Sequence, residues 1–207
     1  MPVQLGTRGQ PDFTEPIALM MDCHRRIERF LSVLARVLER YGRRDLDDEG
    51  RDALRTALDY FASAAPRHTE DEEQSLFPRM RRCADAAGRE AMAQIDELES
   101  DHREAEAAHA RLDVIGRRWL DVGRLDGNRR DELDVLLATM TATYARHIRI
   151  EDQCVFTLAG RVLDDEALAA VGREMQQRRA AAPGRPGSRC AERRQRTLAD
   201  ASSAGKP

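Results

Sequence analysis

Five histidines carry the clearest chemical pattern in this sequence, because each is followed four residues later by an acidic residue. Positions four apart lie on the same face of a helix, so each imidazole has a carboxylate one turn away. An apolar helix face tolerates a histidine only when something satisfies it, and imidazoles gathered with carboxylates in one core are satisfied by a cation. The five pairs are His24–Glu28, His68–Glu72, His102–Glu106, His109–Asp113 and His147–Glu151.

Four of these histidines are expected to meet at one level of the molecule. Counted from the turns between successive helical segments, His24, His68, His102 and His147 lie at nearly matching distances. At ~1.5 Å of helical rise per residue, the mismatches amount to only ~1.5–3 Å. We therefore predict a metal site, and its candidate ligands are His24, His68, Glu72, His102, Glu106, His147 and Glu151.

The mixture of donors narrows the choice of metal. Imidazole nitrogen combined with carboxylate oxygen suits iron or manganese, and also zinc. Six or seven ligands exceed one tetrahedral zinc ion and favour two ions bridged by carboxylates, a known use of helix-bundle cores. The four cysteines are far apart and form no Cys-x-x-Cys pair, so they predict no competing thiolate site.

Two residues near this set have alternative interpretations. Glu73 replaces Glu72 as a ligand if Pro66 rotates the second helix. His109 lies ~10 Å along the helix from His102, too far to bind the same ions, and is interpreted as a core residue partnered by Asp113.

Three further residues near the histidines, Glu28, Tyr144 and Cys154, are not expected to bind the metal. Glu28 is interpreted as a solvated residue or a hydrogen-bond acceptor. Tyr144 and Cys154 fall in the apolar seam and are interpreted as core, with a hydrogen bond from Tyr144 to a bound oxygen species as the alternative.

The elements that position these residues are amphipathic helices. Apolar residues recur at helical spacing in four long segments, which begin near residues 16, 50, 88 and 128, and in a shorter one from 164 to about 179. Pro66 is expected to kink or restart the second helix, and Asn128 to cap the fourth. The pattern predicts an all-α, antiparallel up-down four-helix bundle over residues 15–180, a flexible arm over 1–14 and a disordered Arg/Pro/Gly-rich tail over 181–207 that contains Cys190.

Composition excludes several classes of protein. Lys and Arg number 34 against 37 Asp and Glu, so the formal net charge is −3, which argues against an overall basic nucleic-acid binder. Aromatic residues make up 4% and charged residues 34%, which suits solvated helices rather than a β-sandwich. No run approaches the ~20 apolar residues of a membrane span, and the first residues lack a signal-peptide pattern. We expect a cytoplasmic location and neither a nucleic-acid nor a membrane partner.

Around its histidines the sequence resembles hemerythrin-like proteins of the HHE cation-binding family. The matching segments, within residues 14–180, are DCHRRIERFL, HTEDEEQSLFPRM, DHREAEA and HIRIEDQCVF. The resemblance implies that His24, His68, His102 and His147 are terminal ligands and that Glu72 and Glu151 bridge two non-heme irons. Oxygen-carrying members have a second histidine where this chain has Glu106, and an extra anionic ligand there disfavours reversible O₂ binding.

We therefore expect a non-heme diiron protein that binds a small oxidant or diatomic molecule, either O₂, NO or peroxide, with manganese and zinc as alternative metals. Two further functions stay open, namely a diiron enzyme that consumes peroxide or NO, and an iron donor or sensor in a stress response. A metal-free helical adaptor is the remaining alternative.

Overall fold

The computed structural model describes residues 11–83 and 88–181, and within these ranges every regular element is a helix, as predicted. Residues 1–10 of the predicted arm, residues 84–87, and the predicted tail from residue 182 onward with Cys190 lie outside the described residues. The α-helices are α1 (Pro16–Tyr41), α2 (Asp48–Asp71), α3 (Phe77–Cys83), α4 (Gly88–Val122), α5 (Gly127–Ile150), α6 (Phe156–Val162) and α7 (Asp165–Ala181). Two π-helical turns, π1 (Glu72–Leu76) and π2 (Glu151–Val155), join α2 to α3 and α5 to α6.

The four long helices pack in a closed ring of neighbours. Helix α1 contacts α2 and α5, and α4 contacts the same two helices from the other side. Helix α7 lies against α1, α2 and π1 at one end of this arrangement. No helix within the described ranges is both long enough and apolar enough to cross a membrane.

Aspartates begin two of the long helices. The side chain of Asp47 accepts a hydrogen bond from the Gly50 amide at the start of α2, and Asp126 accepts one from Arg129 at the start of α5. The prediction that Asn128 caps the fourth helix is therefore wrong by two positions. Aspartate is as good an N-cap as asparagine, and Asp126 is the first residue of its segment able to reach a free helical amide.

Helix α2 continues through Pro66 without a break. Pro66 and Ala62, whose carbonyl loses its usual helical partner, both lie on the exposed side of α2, where water can satisfy that carbonyl. The predicted restart at Pro66 is thus absent, and the change from α-helical to π-helical hydrogen bonding comes six residues later, at Glu72.

A polar layer divides the hydrophobic core into two clusters. The larger cluster joins Ile27–Tyr41 of α1 with residues of α2, α4 and α5, and includes Phe61 and Trp119. The smaller one joins Leu19 and Met20 with π1, α3, α6 and α7. On α1, His24 lies between the two clusters, and His102 occupies the same place on α4.

Candidate metal centre

Both π turns begin at a buried glutamate. In π1 the Phe77 amide donates to the Glu72 carbonyl, and in π2 the Phe156 amide donates to the Glu151 carbonyl, so each turn holds one residue more than an α-helical turn. Both carboxylates are fully buried. Such turns recur at functional sites because they present a side chain that a regular helix would direct elsewhere.

A ten-residue sequence repeat explains why the two turns are alike. Residues 68–77 read HTEDEEQSLF and residues 147–156 read HIRIEDQCVF. Both segments have histidine first, glutamate fifth, a second acid sixth, glutamine seventh and phenylalanine last. The two halves of the chain therefore supply their π turns with the same chemical groups.

Four buried histidines form two pairs at the level of the π turns. The ring centroids of His24 and His68 lie 4.8 Å apart, and those of His102 and His147 are also 4.8 Å apart. The Nε2 atoms of His102 and His147 approach to 3.1 Å. The prediction that the four histidines meet at one level agrees with this geometry.

Each of the two glutamates reaches both histidine pairs, with one oxygen toward each. Glu72 Oε1 lies 3.3 Å from His68 Nε2, while its Oε2 lies 3.4 Å from His102 Nε2. Glu151 Oε2 lies 3.0 Å from His24 Nε2, while its Oε1 lies 3.1 Å from His147 Nε2. Each of the two carboxylates therefore lies between the His24–His68 pair and the His102–His147 pair and contacts both.

In three of the four imidazoles, a carboxylate lies within hydrogen-bond distance of Nδ1, the ring nitrogen that faces away from the centre of the cluster. Asp152 Oδ1 lies 2.8 Å from His24 Nδ1, Glu73 Oε1 lies 2.8 Å from His102 Nδ1, and Asp101 Oδ2 lies 3.2 Å from His147 Nδ1. Because an ionised carboxylate can only accept, Nδ1 donates in each case. This arrangement leaves Nε2 directed at the centre, which is the tautomer that binds a metal.

The cluster has the properties of a metal site. The ligand atoms of His24, His68, Glu72 and Glu151 lie within 4.8 Å of one another, and so do those of His102, His147 and Glu151. Although imidazole nitrogens approach them closely, the four oxygens of Glu72 and Glu151 are buried and have no properly aligned hydrogen-bond partner among the described residues. Buried carboxylate oxygens without hydrogen bonds are costly, and a cation between the pairs would satisfy them.

The pKa values of these groups are strongly perturbed because they share one buried space. Burial and then the neighbouring Glu151 raise the pKa of Glu72 to about 7. Burial opposes the charge of His24, but Asp152 and the two glutamates outweigh it and raise its pKa to about 12. The pKa of His147 rises to about 9, since Glu151 and Glu72 outweigh the effect of burial. For His68 burial dominates, with the charge of His24 adding to it, and the pKa falls well below its ordinary value.

Six of the seven predicted ligands come together, and Glu106 does not. Glu106 is exposed and lies on the wall of a surface groove beside α4. Both glutamates of the cluster begin π turns, whereas α4 passes through Glu106 as a regular α-helix. Glu73, the alternative to Glu72, contacts His102 instead of joining the two ligand groups, and Glu28 is exposed.

Two predicted neighbours of the site are placed differently. Cys154 is exposed rather than in the seam, because the extra residue in π2 turns the buried face toward Val155 and Phe156. Asp113 is paired with Arg117 and not with His109.

His109 instead forms a hydrogen bond with Tyr144, at 2.8 Å between Nε2 and the hydroxyl oxygen. Burial lowers the pKa of His109 to about 4, so its ring is neutral near pH 7 and the bond joins a neutral imidazole to the hydroxyl. The Tyr144 ring in turn meets that of His147 edge to face, with the centroids 6.3 Å apart. Tyr144 therefore stands beside the cluster with its hydroxyl fixed.

Space for a small molecule adjoins the cluster. A cavity of about 10 Å³ is lined by the four histidines, Thr69 and Tyr144, which is room for roughly one water-sized molecule. A surface groove of about 460 Å³ between α2 and α4 also reaches Thr69 and His102, and His109 lines its wall. Thr69 and His102 line both spaces and therefore lie between the inner cavity and the outer groove.

Reasoning from the sequence did not predict the three carboxylates near Nδ1 as hydrogen-bond partners of the histidines, and it named Glu73 only as an alternative ligand. Asp152 and Glu73 each directly follow one of the glutamates of the cluster, and Asp101 directly precedes His102. The ten-residue repeat carries this signal, since its sixth position is acidic in both copies. Comparing the two halves of the chain would have found two of the three.

Comparison with known proteins agrees with the geometry. Residues 15–159 match the family model described as the hemerythrin HHE cation binding domain. The chain is also 30% identical over 173 residues to a protein of Haemophilus influenzae (strain ATCC 51907 / DSM 11121 / KW20 / Rd) described as an uncharacterized protein. That match covers 81% of this chain and 91% of the relative.

Proposed function

Because the chain belongs to the hemerythrin family, whose domain binds cations, we propose that its cluster holds two non-heme iron ions and binds a small oxidant or diatomic molecule, O₂, NO or peroxide. The proposed ligands are His24, His68, Glu72, His102, His147 and Glu151.

The observation that carries this proposal is the division of each carboxylate between the two histidine pairs. Glu72 and Glu151 each direct one oxygen to the His24–His68 pair and the other to the His102–His147 pair. A carboxylate serving one ion would have no reason to face both pairs. Two ions linked by two carboxylates use all four oxygens, none of which has an aligned hydrogen-bond partner within the described ranges.

The remaining coordination favours iron and a small added ligand. Four imidazoles and two carboxylates form a nitrogen and oxygen set that suits iron, as family membership implies, and no thiolate takes part. The six residues supply four imidazole nitrogens and four carboxylate oxygens, so each of two ions has four protein donors and keeps coordination positions that protein atoms do not fill. When bound there, iron supplies a redox-active centre that can bind O₂, NO or peroxide.

The chain's own residues orient the donors and restrict what can approach. Asp152, Glu73 and Asp101 hold three imidazoles with Nε2 inward. The neutral His109 ring holds the Tyr144 hydroxyl in one orientation at the edge of the inner cavity. That cavity has room for a molecule of about one or two heavy atoms and none for an organic substrate, which supports a small inorganic ligand.

We infer that the four long helices run alternately up and down as an antiparallel bundle. The closed ring of contacts among α1, α2, α4 and α5 supports this arrangement. It brings residues distant in sequence to one level of the core, as a site assembled from four helices requires.

The test is to load the metal-free protein with ferrous iron without oxygen, count bound iron per chain and record the optical spectrum before and after exposure to air. We expect near two irons per chain in the parent and in His109→Ala, and loss of the pair in His68→Ala and in Glu151→Ala. Two irons retained by both of the latter variants would overturn the ligand assignment.

The same preparation separates the possible activities. A visible band on O₂ that disappears under vacuum indicates a carrier, whereas turnover of added peroxide or NO indicates an enzyme. Rapid loss of iron to a weak chelator favours a donor. Protein that binds no metal under these conditions would leave the helical adaptor as the remaining explanation.

A further inference from the structure

Helix α7 is bound to the π1 turn through a fully buried aspartate. Asp71 directly precedes Glu72, and its side chain has no exposed surface. Arg178 Nε lies 2.8 Å from one of its oxygens, and an Arg179 guanidinium nitrogen lies 2.6 Å from the other. Since a buried carboxylate is stable only with its partners in place, Asp71 keeps its position only while α7 is docked.

A second set of contacts binds the far end of the same turn. Ser75, three residues after Glu72, donates to Glu174 Oε2 at 2.5 Å and accepts from an Arg178 guanidinium nitrogen at 2.7 Å. Arg79 holds Glu174 with two hydrogen bonds of 2.6 and 3.0 Å. The residues on both sides of Glu72 are therefore attached to one helix.

Close backbone packing keeps α7 in place. A Cβ atom on Gly172 would lie only 1.9 Å from the carbonyl oxygen of Phe13, so no side chain larger than hydrogen fits there without displacing one of the two segments. The Arg179 guanidinium also lies over the Phe13 ring, 5.5 Å from its centroid. Phe13 belongs to the predicted flexible arm, and this described part of it packs on α7.

Within residues 11–83 and 88–181, the π2 turn has no equivalent attachment. In the ten-residue repeat, Ile150 takes the position of Asp71 and the exposed Cys154 takes that of Ser75. An aliphatic side chain cannot form the ion pairs that hold π1. The two turns carry the same glutamate and differ in what binds them from outside.

We propose that α7 is a clasp that holds the Glu72 carboxylate between the histidine pairs and sets how fast bound metal leaves the protein. This inference rests on the proposed metal centre and assigns a role to residues 165–181, which lie beyond the part of the chain matched by the family model. A π turn opens more easily than a regular helix, because one residue is added without an added helical contact. Release of α7 frees π1 to move and withdraws an oxygen from each ion.

The first experiment compares Gly172→Ala with Gly160→Ala, a matched control in α6 where a Cβ meets no atom of the described residues within 4 Å. Both substitutions add the same methyl group to a helix, but only the first forces α7 from Phe13. Ferrous-loaded proteins are mixed with excess ferrous chelator without oxygen, and iron release is followed optically. We expect release at least about tenfold faster than the parent for Gly172→Ala and within about twofold for the control.

A second pair tests the ionic contacts. Arg178→Gln with Arg179→Gln removes both partners of Asp71, whereas Arg173→Gln changes an exposed arginine of the same helix. The double variant is expected to release iron as fast as Gly172→Ala, and the control as slowly as the parent. Release rates that do not differ between test and control proteins, with normal iron content, overturn the clasp.

Hydrogen exchange tests the clasp without metal. In the metal-free protein, Gly172→Ala should speed amide exchange over residues 72–77 by about tenfold or more relative to Gly160→Ala, and leave residues 151–156 unchanged. A merely structural role for α7 would speed exchange in both turns, and equal effects on the two turns would contradict the proposal. If no protein binds iron, the metal centre fails, while this comparison still decides whether α7 holds π1.

Discussion

Three of the four imidazoles of the cluster are oriented by a single hydrogen bond between Nδ1 and a carboxylate. His24 is held through Nδ1 by Asp152, a partly exposed residue that contributes nothing to the ligand groups themselves. His68 has no such partner, since its Nδ1 is buried without a hydrogen bond within the described structure. Removing a partner from behind a ligating histidine weakens metal binding because the ring is free to turn and Nε2 becomes less basic.

We expect Asp152→Ala to lower iron affinity by roughly 10- to 100-fold while leaving the helix content unchanged. Gln153→Ala changes the exposed neighbour in the same turn and serves as the control. Competition with a chelator of known affinity measures both. Equal affinities for the two variants would mean that Asp152 does not orient His24.

His109 makes the metal-free protein sensitive to acid. Burial lowers its pKa to about 4 from an ordinary value of 6.5, so the unfolded chain takes up a proton between these values and the folded chain does not. Folding is therefore penalised as the pH falls through this window, by about 2 kcal/mol at pH 5 for a group with these two pKa values.

In His109→Gln the amide oxygen can still accept from Tyr144, but no proton is taken up. We expect the free energy of unfolding to fall between pH 7 and pH 5 by about 2 kcal/mol less than in the parent. Urea unfolding of both metal-free proteins at the two pH values measures this difference. Parallel pH profiles would show that His109 is not protected from protonation.

At the scale of residues, the sequence was informative wherever a polar group interrupts an apolar stripe. His24, His68, His102 and His147 stand in place of core residues, and all four are buried together. Glu106 satisfied the same spacing rule without reaching the cluster, because a four-residue spacing fixes a helix face only approximately. Spacing alone also gave no means of seeing which carboxylates lie behind the rings.

The π turns allow Glu72 and Glu151 to point into the core. Each adds one residue, and the helix beyond it continues with its apolar side still buried, as Phe77 and Phe156 show. Deleting one exposed residue from such a turn should restore a regular α-helix on both sides while moving the glutamate.

We expect deletion of Gln153, which is exposed in π2, to leave the circular dichroism spectrum nearly unchanged and to weaken iron binding by about 100-fold or more, because Glu151 no longer reaches both pairs. Substitution Gln153→Ala keeps the turn and controls for loss of the side chain. Binding of two irons by the deletion variant with parental affinity would show that the π turn is not required.

The sequence predicted the long helices because their apolar spacing is regular, and it located α7 to within two residues at each end. It did not predict the π turns. Apolar residues spaced at three and four continue across both turns, so the pattern alone does not reveal the added residue, and the exposed Cys154 was consequently placed in the core. The restart predicted at Pro66 does not occur, because α2 continues through this residue and its hydrogen-bonding pattern changes only at Glu72.

At the scale of the whole molecule, metal binding must displace protons. The pKa values of His24 and His147 are raised to about 12 and about 9, so both carry a proton at pH 7 that a metal must replace. Below about pH 7, Glu72 is protonated as well. Affinity therefore rises with pH, and more steeply on the acid side of pH 7.

Titration calorimetry in buffers of different ionisation enthalpy should show that protons are released on metal binding at pH 7. In a separate unfolding measurement, metal at 100-fold above its Kd should raise the free energy of unfolding by about 3 kcal/mol. His68→Ala serves as a control that lacks a ligand. Binding without proton release would show that the imidazoles are already neutral in the metal-free protein. Absence of stabilisation would place the metal outside the core.

The ten-residue repeat has a consequence for how little chain is needed to specify such a centre. A helical hairpin carrying one histidine on its first helix and HxxxE(D/E)Q on its second encodes half of the ligands, so two copies of one hairpin, related by a twofold axis, would supply the same four histidines and two glutamates. In this protein the two hairpins, α1 with α2 and α4 with α5, belong to a single chain. Once the halves are joined they are free to diverge, and the differences between them, Asp71 against Ile150 and Ser75 against Cys154, are changes that a symmetric pair could never have made on one side only.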